Sequence, residues 1–119
     1  MATRTDAFGR GYIEAALWSS TDDDGESLDH FDASNIDAAT RRQMYKDCKA
    51  FKRQNRRLLR KSGLSQERQG HDFWLTRNRH GAGFWDEGIG RIGNALTKAA
   101  HAFGSFDLYL GDDGKIHGS

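Results

Sequence analysis

Apolar positions recur at intervals of three and four through the first half of the chain. Phe8, Tyr12, Ala15, Ala16 and Ser19 fall on one stripe, with Ile13 and Leu17 beside it. That spacing predicts a helix capped by Thr5 or Asp6 and running to about Ser19. Gly9 and Gly11 weaken its first turns. A second stripe begins after Ser34 or Asn35 and passes through Ile36, Ala39 or Thr40, Met44, Cys48, Phe51, Asn55 and Leu58 or Leu59. It predicts one long helix to about Lys61, stopped by Gly63. At about 27 residues and about 40 Å, such a helix is longer than a domain of this size needs, so its end is expected to project or fray. Ser62 to Gly70 reads as a connection.

The period then changes. His71 to Arg77 alternates, with Phe73, Leu75 and Arg77 on one face and Asp72, Trp74 and Thr76 on the other. Gly81 to Asp86 alternates through Ala82 and Phe84 against Gly83 and Trp85. Two strands are predicted, joined by a turn over Asn78, Arg79, His80 and Gly81. A helix capped by Asp86 follows, its buried stripe being Ile89, Ile92, Leu96, Ala99 or Ala100 and Phe103, with Gly104 as its stop. Phe106, Leu108 and Leu110 alternate with Asp107 and Tyr109, and a turn at Asp112, Asp113 and Gly114 leads to a last short strand over 115–117. The predicted order is helix, helix, strand, strand, helix, strand, strand. This is an α+β domain in which a small, mostly antiparallel sheet packs with helices, one of them long and basic.

A chain of 119 residues is expected to form one domain, 1–119. Apolar runs fall far short of the roughly twenty residues needed to span a bilayer. No uninterrupted apolar region follows Met1 to Asp6, so a cytoplasmic protein with no membrane association is expected. Cys48, the only cysteine, excludes an internal disulfide and a thiolate cluster and reads as a small buried residue. There is no proline, so the turns fall to Gly, Asn and Asp.

Charge changes this picture more than composition does. The formal net charge is only +1, but Asp22, Asp23, Asp24, Glu26, Asp29, Asp32 and Asp37 precede a dense cationic run. Arg41, Arg42, Lys46, Lys49, Lys52, Arg53, Arg56, Arg57, Arg60 and Lys61 stand in that run against Asp47 alone. Such a band suits phosphate or an acidic protein face, and Arg77, Asn78, Arg79 and His80 at the predicted hairpin tip would extend it. The plainer reading is a solvated helix paired with the acidic loop. The projecting helix end also suits pairing with a second copy.

Four further constellations carry less. Gly88, Gly90 and Gly93 spell GxGxxG, with Asp112 and Asp113 about twenty residues on, but a dinucleotide site requires crossover strands and a second half that the chain lacks. A helix start in close approach to the sheet accounts for the glycines. Asp22, Asp24 and Gly25 resemble part of a calcium loop, yet Phe31 stands where the bidentate Glu belongs. His71, Asp72 and His80 offer ligands for a small metal-dependent nuclease or hydrolase, but neighbours on a strand point to opposite faces. No serine elbow is present, and Cys48 lies in an apolar stripe. No catalytic residue, metal or cofactor is assigned.

The words YIEAALWSSTDDDGE, GHDFWLTRN, HGAGFW and DLYLGDDGKI resemble those of short proteins of unassigned function in tailed bacteriophages and prophages. The similarity runs along nearly the whole chain and is densest over 70–86 and 107–116. It implies a phage accessory protein that acts without catalysis by binding a host macromolecule, a protein or protein complex, as inhibitors of the anti-CRISPR or anti-restriction type do. It supplies no catalytic residue. The alternatives are a nucleic-acid-binding module that uses the basic helix 41–61 on DNA or RNA, and the small metal-dependent hydrolase.

Overall fold

The structure, a computed structural model, describes residues 6–119; the alternative cap Thr5 and most of the leading segment lie outside them. Among the described residues the chain forms five α-helices and one two-stranded antiparallel sheet, an α+β arrangement. Helix α1 is Ala7–Ser19, α2 Ala38–Gln54, α3 Arg56–Ser62, α4 Gln66–Arg77 and α5 Arg91–His101; strand β1 is Leu108–Leu110 and β2 Ile116–Gly118. None of the described helices is long and apolar enough to cross a membrane.

Asp6 caps α1 by accepting a hydrogen bond from the Gly9 amide at 2.8 Å, as its position predicts. The glycines of α1 do more than weaken it. A Cβ on Gly11 would run into the Glu67 carbonyl, and one on Gly70 into the Phe8 carbonyl. Helices α1 and α4 therefore cross with their backbones in near contact, and they share the most extensive interface of any two elements. Around that crossing, Phe8, Tyr12, Phe51, Phe73, Trp74 and Phe84 are fully or almost fully buried. Phe51 stacks on Phe73 with ring centroids 4.1 Å apart, while Tyr12 meets Trp74 edge to face at 5.3 Å. The Trp74 indole N–H donates to the Ser19 hydroxyl at 2.7 Å, so its polar atom is satisfied inside the core.

The long second helix is two helices. Its cap is Asp37, whose carboxylate accepts from the Ala39 and Thr40 amides, rather than Ser34 or Asn35. It breaks at Asn55, where the buried side chain donates to the Phe51 carbonyl at 3.0 Å. An amide side chain that competes for a helix carbonyl favours such a break. Leu59 of α3 lies in the core, so this end of the run packs instead of projecting, and Gly63 ends it at φ 72° as expected.

The predicted hairpin over 71–86 is the main correction. His71 to Arg77 belongs to α4, capped by Ser65, whose hydroxyl accepts from the Arg68 amide at 3.1 Å. Residues 84–86 form a 3-10 turn rather than a strand. Asp86 caps that turn, accepting from the Gly83 amide at 3.0 Å, and α5 begins only at Arg91. The final hairpin is as expected but shorter, pairing Leu108 with Gly118 and Leu110 with Ile116. Ile116 also bridges to Ile36, which ties the sheet to the approach to α2.

Overpacking a helix crossing costs about 1–3 kcal/mol, and more where backbone is the obstacle. Gly70→Ala is therefore expected to destabilise the fold by about 3 kcal/mol or more, read as a lowered midpoint in urea unfolding. Gly81→Ala, at an exposed site where an added Cβ meets nothing, should change it little.

Candidate functional site

The cations of the basic run are set on α2 and α3 as the stripe dictates: the apolar positions turn inward and the charged ones outward. Arg42, Lys46, Lys49, Arg53, Arg56, Arg57, Arg60 and Lys61 are exposed, and Arg41 and Lys52 half-buried. Two of the ten are engaged in holding the fold. Arg41 donates to the Ala33 carbonyl at 2.9 Å, and Lys52 pairs with Asp6 at the cap of α1. Among the described residues no ion pair joins the acidic loop to either basic helix. The loop instead folds on itself, the Asp22 carboxylate accepting from the Asp24 and Glu26 amides. Its carboxylate is thereby engaged in a turn, which accounts for the part resembling a calcium site.

A groove of about 690 Å³ runs between α2, α3 and the first turns of α1 and α4. Lys49, Lys52, Arg53, Arg56 and Arg60 line it, Gln66 and Gln69 stand at its α4 side, and Asp6 is the only acid on its wall. Gln69 is fixed by donating to the Leu59 and Leu64 carbonyls. Cys48 and Leu59 contribute apolar surface. Burial pushes the Cys48 thiol well above its ordinary value, so it is a packing residue rather than a nucleophile. The groove offers anions a cationic wall, with the Gln66 side chain at its α4 edge. The part played by Gln66 and Gln69 was not legible, because that segment reads as a loop.

The predicted tip does not extend this surface. Arg77 is 3% exposed and sits at the centre of the fold. Its guanidinium donates to the Gly104 carbonyl at 2.8 Å, the Tyr12 hydroxyl at 2.9 Å, the Asp47 carboxylate at 2.9 Å and the Phe103 carbonyl at 3.1 Å. Its charge also lies over the rings of Phe73, Phe103 and Phe106. Asn78 is likewise structural, accepting from the Phe106 amide at 2.8 Å and donating to the Trp74 carbonyl at 3.0 Å. Only Arg79 and His80 are exposed, beyond the end of α4. The proposed ligands of a metal centre are not brought together. His71 lies beside Trp18, Asp72 points into the protein and His80 stands outside, and no group of three suitable side chains is found among the described residues. The GxGxxG segment has no strand before it. Gly88 and Gly90 take positive φ in the approach to α5, and Gly93 makes room for the Phe84 carbonyl of the 3-10 turn rather than for a sheet.

Asp72 has a chemistry that the sequence did not announce. It is 0% exposed, and neither carboxyl oxygen accepts a hydrogen bond. Arg68 approaches only to 3.7 Å and is turned toward Glu87, to which it donates at 2.7 and 3.3 Å. Burial, and then the adjoining Glu87 carboxylate, push Asp72 up to about 8, while Arg68 and the Asp72 proton hold Glu87 below its ordinary value. The two carboxyl groups titrate together, with the proton favoured on the buried Asp72 and the charge on Glu87 beside Arg68. His71 is held below the usual imidazole value by burial and by Arg68.

Two outcomes follow. Arg77→Ala leaves the buried Tyr12 hydroxyl and the Phe103 and Gly104 carbonyls without their donor and the half-buried Asp47 without its ion pair, and should cost about 3 kcal/mol, measured by chemical denaturation. For Asp72, the folded value near 8 lies above an unfolded value of about 3.9, so the folded state holds the extra proton. Its contribution is complete below about pH 4 and is lost progressively as pH rises to about 8. Asp72→Asn should flatten the decline in melting temperature over that interval and leave the mutant the more stable protein at pH 8. Comparison with protein-family models, with curated proteins and with solved structures gives no match, so the chain is described by its own geometry.

Proposed function

We propose that this chain is a non-enzymatic binding protein that engages a nucleic acid through the cationic groove of α2 and α3. The reading is supported by one observation above others: five cations line a concave surface that holds a single carboxylate, while the acidic loop is folded on itself. A surface helix whose charge merely kept it in solution would gain nothing from gathering its cations around a cleft. Phosphates supply the complementary charge at regular spacing, and each one neutralised releases counterions. Arginine adds the planar fork that fits a phosphate with two hydrogen bonds.

The resemblance to tailed-phage accessory proteins suits this reading, since a small protein that covers a host nucleic acid, or the nucleic acid of a host defence complex, can interfere without catalysis. Cytoplasmic action in the host cell belongs to the same proposal.

Binding of fluorescently labelled oligonucleotides at several salt concentrations tests it. The association constant is expected to fall steeply with salt, and Lys49→Glu with Arg53→Glu should weaken binding at least tenfold and reduce the salt slope by about 1 per lost phosphate contact. Both residues are exposed, so the melting temperature should hold. Salt-insensitive or absent binding near physiological ionic strength would overturn the reading in favour of an acidic protein partner.

A further inference from the structure

The cationic groove has a neighbour. On the other side of Tyr45, which lines both, a second groove of about 750 Å³ opens between α1 and residues 29–33. Its balance of charge is different. Trp18, Phe31 and Tyr45 give it aromatic walls, and Glu14, Asp29 and Asp32 supply three carboxylates against the single arginine Arg10. Trp18 is 59% exposed although it follows the buried Leu17, and it stands on the wall of the groove with its ring 6.3 Å from that of His71. Trp85 and Tyr109 are exposed as well, but Trp18 is the exposed ring that lines a groove, and an exposed aromatic in a concave wall marks a binding surface.

Resting on the reading above, we infer that the nucleic acid is single-stranded, its backbone following the cationic groove while an unpaired base enters the aromatic one. With three carboxylates against Arg10 the second groove disfavours phosphates, which gather on the side of Tyr45 where five cations face one carboxylate. A base is neutral, stacks on indole, phenol or phenyl faces, and is tolerated where a phosphate is not. A duplex keeps its bases stacked inside and presents only phosphates and groove edges, so it can occupy the first groove but not the second. The carboxylates also set a preference. They accept hydrogen bonds, and adenine, cytosine and guanine carry an exocyclic amino group to donate, which thymine lacks.

The test compares labelled twelve-nucleotide oligo-dA, oligo-dC and oligo-dT strands with a hairpin duplex, at one salt concentration, for the wild-type chain and for Trp18→Ala. Single strands of dA or dC should bind about tenfold more tightly than the duplex, and oligo-dT should fall below both. Trp18→Ala should remove about tenfold from single-strand affinity and leave duplex affinity and melting temperature unchanged. Glu14→Ala with Asp29→Ala should abolish the preference for oligo-dC over oligo-dT. Equal binding of duplex and single strands, unaffected by Trp18→Ala, would overturn this inference while leaving the cationic groove as a nucleic-acid site. Binding of neither would overturn both.

Discussion

Helices α1 and α4 approach until Gly11 lies against the Glu67 carbonyl and Gly70 against the Phe8 carbonyl, and the rest of the core is arranged around that contact. Two helices whose backbones nearly touch leave no room for side chains between them. The large rings are therefore displaced to the flanks of the crossing, where Tyr12 and Trp74 meet on one side and Phe8, Phe51 and Phe73 on another. Helix α2 enters through Phe51, and α5 and its following turn through Leu96 and Phe103. A close crossing also fixes axial register, because a slide by one residue would place a Cβ where a carbonyl now lies.

Arg77 completes the centre by a different kind of force. It stands at the last turn of α4 and joins α1 through Tyr12, α2 through Asp47 and the segment after α5 through the Phe103 and Gly104 carbonyls. A buried guanidinium is costly unless its donors are used, and here the charge is balanced by Asp47 and lies among aromatic faces. Nonspecific burial would accept a methionine of similar length. The four partners accept only a planar group with donors in several directions, so this contact selects one arrangement of the helices.

Helices α1 and α2, α5 and the final hairpin were legible because each has an inside and an outside, and the alternation of apolar and polar residues records which is which. Helix α4 was not. From Asp72 to Arg77 six consecutive residues are buried, so the segment has no solvent face to impose a period of 3.6, and over seven residues the alternation of Phe73 and Leu75 with Asp72, Trp74 and Thr76 reads as a period of two. The cap Ser65 was the available local signal. The cations of 41–61 were readable as a surface, since charge ordinarily seeks water. The same rule misplaced Arg77, whose environment is built by elements distant in sequence, and no local pattern marks the burial of Asp72. Trp18 fails in the opposite direction: its size suggests the core, and the fold leaves it outside.

The placing of the cations has an electrostatic consequence. An isolated rod from Asp37 to Lys61 would spread its cations along a convex cylinder, each surrounded by water of high dielectric constant. Here Lys49, Arg53, Arg56 and Arg60, spaced by four, three and four residues, share one face of the α2–α3 run, and the first turns of α1 and α4 stand opposite to make that face the wall of a cleft. Within a cleft, low-dielectric walls confine field lines that would otherwise spread into solvent, and the potential at its floor exceeds that of the same charges on an open face. Two neighbouring helices thus turn a line of charge into a lens for anions.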